Sequence, residues 1–166
     1  MIILGIDPGT AIVGWGIIDK QGNRYKTIDF GCITTNPKDE DWLRLELIYN
    51  EIESIIKKFK PEQIAVESLF FFKNQKTVMK VSQARGAILV AAQKQNKTIR
   101  EFTPLQIKQA LTSYGRADKS QMQTMVKRIL GLDKIPKPDD AADALACAIC
   151  CAQTLQYKFK QVESRK

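Results

Sequence analysis

The sequence predicts an α/β fold in which a mixed five-stranded sheet is flanked by helices. Near the amino terminus, three apolar segments follow one another with only short turns between them. From about residue 40 onward, helical patterns alternate with two further short apolar segments. Strands joined by short turns pair antiparallel, whereas strands separated by a helix pair in parallel. We therefore expect an antiparallel meander plus two parallel strands, with the first strand central, beside the fourth.

Turn residues bound the three strands of the meander. The segment IILGID ends at Asp-Pro-Gly, a strong turn signal, and IVGWGIID is followed by Gly-Asn. The third segment, RYKTIDFGCITT, is rich in β-branched and aromatic residues, which favour strands.

An apolar stripe predicts the first helix, over about residues 40–60, and Pro61 ends it. The stripe consists of Ile48, Ile52, Ile55, Ile56 and Phe59. The remaining predicted elements are strands at QIAVE and TIREF and helices over about 75–96, 104–112, 118–131 and 139–155. We expect a single domain over residues 1–157 and a basic, frayed C-terminal tail over residues 158–166.

The composition is that of a globular protein, with 166 residues of which 44% are hydrophobic and 27% charged. No apolar run is long enough to cross a bilayer, and the short apolar start lacks the basic region of a signal peptide. We therefore expect a cytoplasmic protein with no membrane partner.

Positive charge is concentrated in one part of the chain. The net charge is +8, but residues 1–72 carry 8 basic and 11 acidic side chains, whereas residues 73–137 carry 14 basic and 3 acidic ones. A local positive field attracts a polyanion such as a nucleic acid. A solvated helix face or an acidic protein partner would explain the same charge, so charge alone leaves the partner open.

Four carboxylates stand at positions that suggest a metal site. Asp7 and Glu67 end two apolar strands, and Asp140 and Asp143 lie one helical turn apart at the start of the last helix. Each has a simpler explanation: Asp-Pro-Gly forms turns, Glu67 alone would be a solvated strand end, and acids favour helix amino termini. Asp143 fits these explanations poorly, because it lies among alanines on a helix that can pack closely on a sheet. Together the four acids favour Mg²⁺, a hard cation that takes oxygen ligands and substrate phosphate.

The segment Phe70-Phe71-Phe72 leaves two interpretations open. The fourth strand can continue into the core, or one ring can be exposed beside a basic groove, where it would stack on an unpaired base.

The four cysteines are Cys32, Cys147, Cys150 and Cys151. We interpret them as free thiols that act as small buried hydrophobic residues. A Cys₄ zinc site remains the alternative, and stoichiometric zinc in purified protein would reveal it.

The sequence resembles the RuvC family of Holliday-junction resolvases. The resemblance is carried by GIDPGTAIVGWGII, RLELIY, AVESLFFFKN, VSQARGAILVAA, QIKQALTSYGRADKSQMQTMV and PDDAADALACAI, in family order over nearly the whole chain. It implies an RNase H-like fold and a homodimer that cuts two opposed strands of a four-way DNA junction, in recombination and repair. A partnership with the branch-migration motor of the RuvA and RuvB type is also implied.

The resemblance also implies roles for individual residues. Asp7, Glu67, Asp140 and Asp143 stand where the family has its metal ligands, which implies two Mg²⁺ ions per site, with Mn²⁺ as a substitute. The neighbouring Asp139 leaves open whether it or Asp140 is the ligand. The implied DNA-binding residues are Phe70 for base stacking, Lys108 and Lys119 at the active site, and Arg85 in the basic motif of the long helix.

We hypothesise two-metal phosphodiester hydrolysis, in which one ion activates water and the other stabilises the leaving 3′ oxygen. Asp7 would bridge both ions, and Lys119 would offset charge on the scissile phosphate. Two other functions remain possible: an actin-like or sugar-kinase-like nucleotide domain, and a non-catalytic junction-binding module. Tight ATP binding would favour the first, and magnesium-dependent nicking would exclude the second.

Overall fold

The computed structural model describes the backbone of residues 1–68 and 75–163 and the side chains of residues 1–68 and 78–155. The strands are β1 (Ile2–Asp7), β2 (Ile12–Gln21), β3 (Arg24–Thr34), β4 (Gln63–Glu67) and β5 (Thr98–Phe102). They form one sheet in the order β3-β2-β1-β4-β5. β1 pairs antiparallel with β2 and parallel with β4, so both the mixed sheet and the central position of β1 are confirmed.

Five helices surround this sheet in the described part of the chain. They are α1 (Asp41–Phe59), α2 (Gln75–Lys94), α3 (Pro104–Thr112), α4 (Lys119–Leu130) and α5 (Asp139–Glu163). α5 ends later than the predicted residue 155, because the residues that follow include no glycine or proline that would stop a helix. The division into a domain over 1–157 and a tail over 158–166 stays a prediction.

The two faces of the sheet carry separate halves of the core. α1 and α2 cover one face, where the buried stripe of α1 packs on Leu4 and Ile6 of β1. α3, α4 and α5 cover the other face, where Ile3 of β1 and Ala65 of β4 are buried. Successive side chains of a strand alternate between faces, so Asp7 and Glu67 lie on the same face as Ile3 and Ala65. Both acids therefore face the side that α5 covers.

Glycines in the two central strands let α5 lie directly on the sheet backbone. A Cβ atom on Gly5 would stand 2.0 Å from the carbonyl oxygen of Ala144, and one on Gly14 would stand 2.0 Å from the carbonyl oxygen of Asp140. Gly14 is the register partner of Asp7. The close approach at Gly14 therefore brings the first turn of α5 next to the end of β1.

A capping box fixes the start of α4. The Asp118 carboxylate accepts a hydrogen bond from the backbone N–H of Gln121 at 2.8 Å, and the Gln121 side chain accepts one from the Asp118 N–H at 2.9 Å. This arrangement orients the first turn of α4, which begins with Lys119.

No helix among the described residues combines the length and apolar character that a membrane span requires.

Candidate active site

The register of the central strands brings Asp7 and Glu67 together. Ile6 of β1 pairs with Val66 of β4, and each strand ends at the next residue, which is acidic. The carboxyl ends of parallel strands in an α/β sheet are a common place for ligand sites. The predicted convergence of these two acids at one edge of the sheet is therefore confirmed.

A cavity of about 310 Å³ opens beside this pair of carboxylates. Among the described residues, Asp143 of α5, Lys108 of α3 and Lys119 of α4 line it together with Asp7 and Glu67. Three acids and two lysines thus share one concave surface. We call it the catalytic cavity.

Asp140 lies one helical turn before Asp143 and faces a different space. It lines a second cavity, of about 480 Å³, together with residues 9–12, which comprise part of the turn after β1 and the first residue of β2. Its charge nevertheless contributes to raising the pKa of Asp7. Each of the other three predicted acids therefore interacts electrostatically with Asp7.

Burial and mutual repulsion raise the pKa values of the three acids that line the catalytic cavity. Burial, followed by repulsion from Glu67, Asp143 and Asp140, raises the pKa of Asp7 from 3.8 to about 8. Burial and then Asp143 raise the pKa of Glu67 to about 7, although Lys108 lowers it. The pKa of Asp143 is also raised, mainly by burial. Carboxyl groups with raised pKa values in a cavity are typical of functional sites.

Asp139 and Asp140 have different partners, although they are adjacent in sequence. Asp139 Oδ2 lies 3.2 Å from Lys119 Nζ, and its Oδ1 accepts a hydrogen bond from Lys137 Nζ at 2.6 Å. Hydrogen bonds from Lys137 and Lys119 lower the pKa of Asp139 to about 2. Asp139 is thus neutralised by lysines, whereas Asp140 adds negative charge near Asp7. This arrangement favours Asp140 over Asp139 as a metal ligand.

Lys119 stands between the acids of α5. Its Nζ lies 3.7 Å from Asp143 Oδ2, in addition to its contact with Asp139. Burial lowers the pKa of Lys119, but the three aspartates of α5 raise it by more. Lys119 therefore stays protonated at the edge of the catalytic cavity.

The donor set of the catalytic cavity fits a hard divalent cation. Its buried carboxylates repel one another, and a cation among them would remove that repulsion. Within residues 1–68 and 78–155, no group of three or more histidine, cysteine, aspartate or glutamate side chains forms a ready-made metal site. The acids raise one another's pKa values, but among the described residues they do not form a complete set of metal ligands. Such an open set suits Mg²⁺, which keeps several waters and uses substrate phosphate as a ligand.

The predicted DNA contacts of two other residues, Arg85 and Phe70, stay predictions. Arg85 of α2 forms an ion pair with Glu101 of β5 and is not among the described residues that line the cavity. Its predicted contact with DNA stays a prediction. Phe70 lies outside the described residues, so its predicted stacking role also stays a prediction.

The cysteines of α5 contribute to the core. Cys147, Cys150 and Cys151 are buried on the face that α5 covers. Burial raises the pKa of Cys150 to about 12 and that of Cys151 to about 11, so both remain protonated thiols. Their packing agrees with the interpretation as small hydrophobic residues.

Arg44 is a residue whose role the sequence analysis missed. It lies in the buried stripe of α1 and is only 7% exposed. Its guanidinium donates to Thr35 Oγ1 at 2.9 Å and to the carbonyl oxygen of Thr10 at 3.1 Å. Its position in the sequence indicates this burial: Arg44 lies four residues before Ile48, and so on the same helix face as the apolar stripe.

Comparison with known proteins identifies the family to which this site corresponds. Residues 3–151 match the family model described as "Crossover junction endodeoxyribonuclease RuvC". A protein of that name from Halothermothrix orenii is 57% identical over 160 residues, which cover 96% of this chain and 97% of the relative.

Solved structures give the same result. The structure of Thermus thermophilus RuvC superposes with a TM-score of 0.88 at 34% identity and covers 95% of this chain and 97% of that one. T. thermophilus RuvC in complex with Holliday junction substrate superposes with a TM-score of 0.87 at 32% identity, covering 95% and 96% of the two chains. These similarities confirm the RNase H-like fold that the resemblance implied.

Proposed function

The chain belongs to the RuvC family of crossover junction endodeoxyribonucleases, and from this premise we propose that it resolves four-way DNA junctions by paired nicks. The observation that carries the proposal is the catalytic cavity. On this fold, three carboxylates with raised pKa values and two lysines line one concave surface at the end of the central strands. The family acts on DNA phosphodiester bonds, and this cavity offers the charges that such a reaction needs.

The four acids would hold the metal. Asp7, on the central strand, interacts with each of the other three and is the candidate for contact with every bound ion. Glu67 and Asp143 would complete the set from the catalytic cavity, and Asp140 from the adjoining one. When bound, a divalent cation supplies a polarised water for attack on phosphorus and positive charge at the leaving oxygen. The all-carboxylate donor set favours Mg²⁺, with Mn²⁺ as a substitute, over softer metals, and the family resemblance implies two ions per site.

Lys119 and Lys108 would contact the phosphate. Both line the catalytic cavity, and Lys119 is oriented by Asp139 and Asp143. An ammonium group beside the scissile phosphate stabilises the charge that develops there during attack. Lys119 is therefore proposed as a catalytic residue, and Lys108 as a DNA-binding residue that also lowers the pKa of Glu67.

A homodimer would place two catalytic cavities on one junction. A two-fold protein matches a pseudo-two-fold substrate, which accounts for paired rather than single nicks. We further propose a functional partnership with a branch-migration motor of the RuvA and RuvB type and a cytoplasmic location, where the DNA substrate is found.

Cleavage and binding should be measured separately on a synthetic four-way junction and on a plain duplex, each with and without Mg²⁺. We expect nicks only in the junction and only with Mg²⁺. Asp7→Asn should bind the junction but cleave it at least about 100-fold more slowly, because the acid shared among the metal-binding groups is lost. Asp133→Asn removes an exposed carboxylate outside the catalytic cavity and serves as the matched control. Undiminished cleavage by the Asp7→Asn protein would refute the assignment.

A further inference from the structure

The second cavity, defined above by residues 9–12 and Asp140, is also lined by Arg44 of α1 and Lys80 of α2. It adjoins the catalytic cavity, because residue 9 follows Asp7 by two positions and Asp140 acts electrostatically on Asp7. The proposed function uses only Asp140 from this cavity. We call it the turn cavity.

Arg44 makes the wall of the turn cavity rigid. Its guanidinium and the Thr35 hydroxyl both donate to the carbonyl oxygen of Thr10, at 3.1 and 2.7 Å. The Thr35 N–H also donates to the carbonyl oxygen of Ala11, at 3.0 Å. Three hydrogen bonds thus hold this turn against the rest of the protein. A fixed wall is what a preorganised binding site requires.

The Thr10 side chain carries an unsatisfied polar group. Its Oγ1 is buried and has no hydrogen-bond partner among the described residues. Buried hydroxyls in native proteins are rarely left unpaired, and one beside a cavity suggests a ligand that supplies the missing bond. This hydroxyl is separate from the Thr10 carbonyl group, which Arg44 and Thr35 already use.

Lys80 carries a positive charge that can pair with an anion in place of its present partner, Asp41. Its Nζ lies 3.1 Å from Asp41 Oδ1, and both side chains are about half exposed, at 53% and 46%. Exposed ion pairs of this kind contribute little to stability, so the lysine can exchange its partner for an anion at little cost. Arg44 lies 3.7 Å from the same carboxylate and adds a second positive charge to the wall.

We propose that the turn cavity binds a backbone phosphate of the DNA strand, adjacent to the phosphate that is cut. Lys80 would pair with the phosphate and the Thr10 hydroxyl would donate to it, while Arg44 keeps the turn in place. The inference rests on the proposed function, because a metal ion held by Asp140 would neutralise the carboxylate that otherwise repels a phosphate in this cavity. A strand crossing Asp7 would lie over both cavities, so consecutive phosphates would occupy them.

The test combines protein variants with modified DNA, using binding to a synthetic four-way junction in Mg²⁺ on the Asp7→Asn background. Lys80→Ala should weaken binding about threefold to tenfold and reduce the slope of log affinity against log salt by about 1. Lys94→Ala, which removes another exposed lysine of α2 that is not among the lining residues, is the matched control. An equal reduction by Lys94→Ala would overturn the proposal, because the effect would then be one of net charge.

Thr10→Val separates a ligand role from a structural one. The substitution replaces an unpaired buried hydroxyl with a methyl group of similar size, so the unfolding midpoint should stay the same or rise. Junction affinity should nevertheless fall about twofold to fivefold. Unchanged affinity in this folded variant would overturn the role of Thr10.

Single methylphosphonates identify the phosphate. One neutral linkage next to the scissile position should weaken wild-type binding as Lys80→Ala does, and should add little further loss to the Lys80→Ala protein. Full additivity at every position tested would show that Lys80 does not contact a flanking phosphate. If the wild-type protein cleaves junctions while these tests fail, the turn-cavity proposal is wrong and the proposed function stands. If it cleaves nothing, the proposed function itself is wrong.

Discussion

Replacing Asp7 by asparagine should make the metal-free protein more stable at the same time as it abolishes cleavage. The pKa of Asp7 is about 8 in the folded chain, against an ordinary value of 3.8. A carboxyl group with a raised pKa gives its full contribution to stability below the unfolded pKa and loses it as the pH rises through the folded pKa. Between about pH 4 and pH 8 the unfolded chain ionises Asp7 while the metal-free folded chain keeps it protonated, so the stability of the wild-type protein falls over this range.

The size of the effect follows from the pKa difference. At 1.36 kcal/mol per pKa unit, the loss for Asp7 approaches about 5 kcal/mol at pH 8. Two factors reduce what asparagine can recover. Small movements of Glu67 and Asp143 relieve part of the repulsion in the wild-type protein, and the new amide is itself a buried polar group. We expect a gain of roughly 2–4 kcal/mol at pH 8, shrinking toward zero near pH 4.

Urea unfolding of both proteins between pH 4 and pH 9, in EDTA and in excess Mg²⁺, measures this gain. Mg²⁺ should stabilise the wild-type protein and have much less effect on Asp7→Asn, because a ligand that binds only the folded state raises its stability. Asp139→Asn is the opposite control: lysines hold the pKa of Asp139 at about 2, so its removal should not stabilise the protein. An Asp7→Asn protein less stable than wild type in EDTA at pH 8 would refute the reasoning.

Three further predictions follow from the site and its supports. Mg²⁺ affinity measured by calorimetry should rise with pH from 6 to 8, with proton release, because Asp7 and Glu67 must lose protons to bind it; an affinity independent of pH would contradict this. Gly14→Ala should destabilise the protein by about 2 kcal/mol or more in thermal unfolding and lower cleavage, since its Cβ would collide with the Asp140 carbonyl oxygen. Arg44→Gln should lower the free energy of unfolding by about 2–3 kcal/mol, because the charged hydrogen bonds to Thr35 and Thr10 are lost; a variant as stable as wild type in urea unfolding would show that these bonds do not hold the turn.

The sequence was sufficient to predict the convergence of Asp7 and Glu67. Both acids follow short apolar strands, and the order of strands and helices allows only a few pairings of those strands. Alternation along each strand then decides which face the acids occupy. The alanines of the last helix likewise predict close packing on the sheet, whereas only the structure shows that Gly5 and Gly14 are the residues on which this helix lies.

The partners of Asp139 and Asp140 could not be read from the sequence. Consecutive residues on a helix point about 100° apart, so each faces different neighbours. Which one faces the metal-binding acids depends on where Lys119 and Lys137 lie after folding. In the structure these lysines neutralise Asp139 and leave Asp140 on the side of Asp7. The different roles of Asp139 and Asp140 therefore depend on the positions of Lys119 and Lys137 in the folded protein, and no local sequence pattern predicts them.

The buried acids and Arg44 lie close together at the end of β1, where the arginine fixes the turn that follows Asp7. Asp7 is held where burial and three other carboxylates oppose its ionisation, and a short turn separates it from the Thr10 carbonyl that Arg44 fixes. Without the hydrogen bonds of Arg44, repulsion would move the end of β1 and increase the distance between Asp7 and the other acids. A rigid turn keeps them close enough to share one cation, which would offset their mutual repulsion once they have lost their protons. Arg44 should therefore affect Mg²⁺ affinity as well as stability, although it lies outside the catalytic cavity.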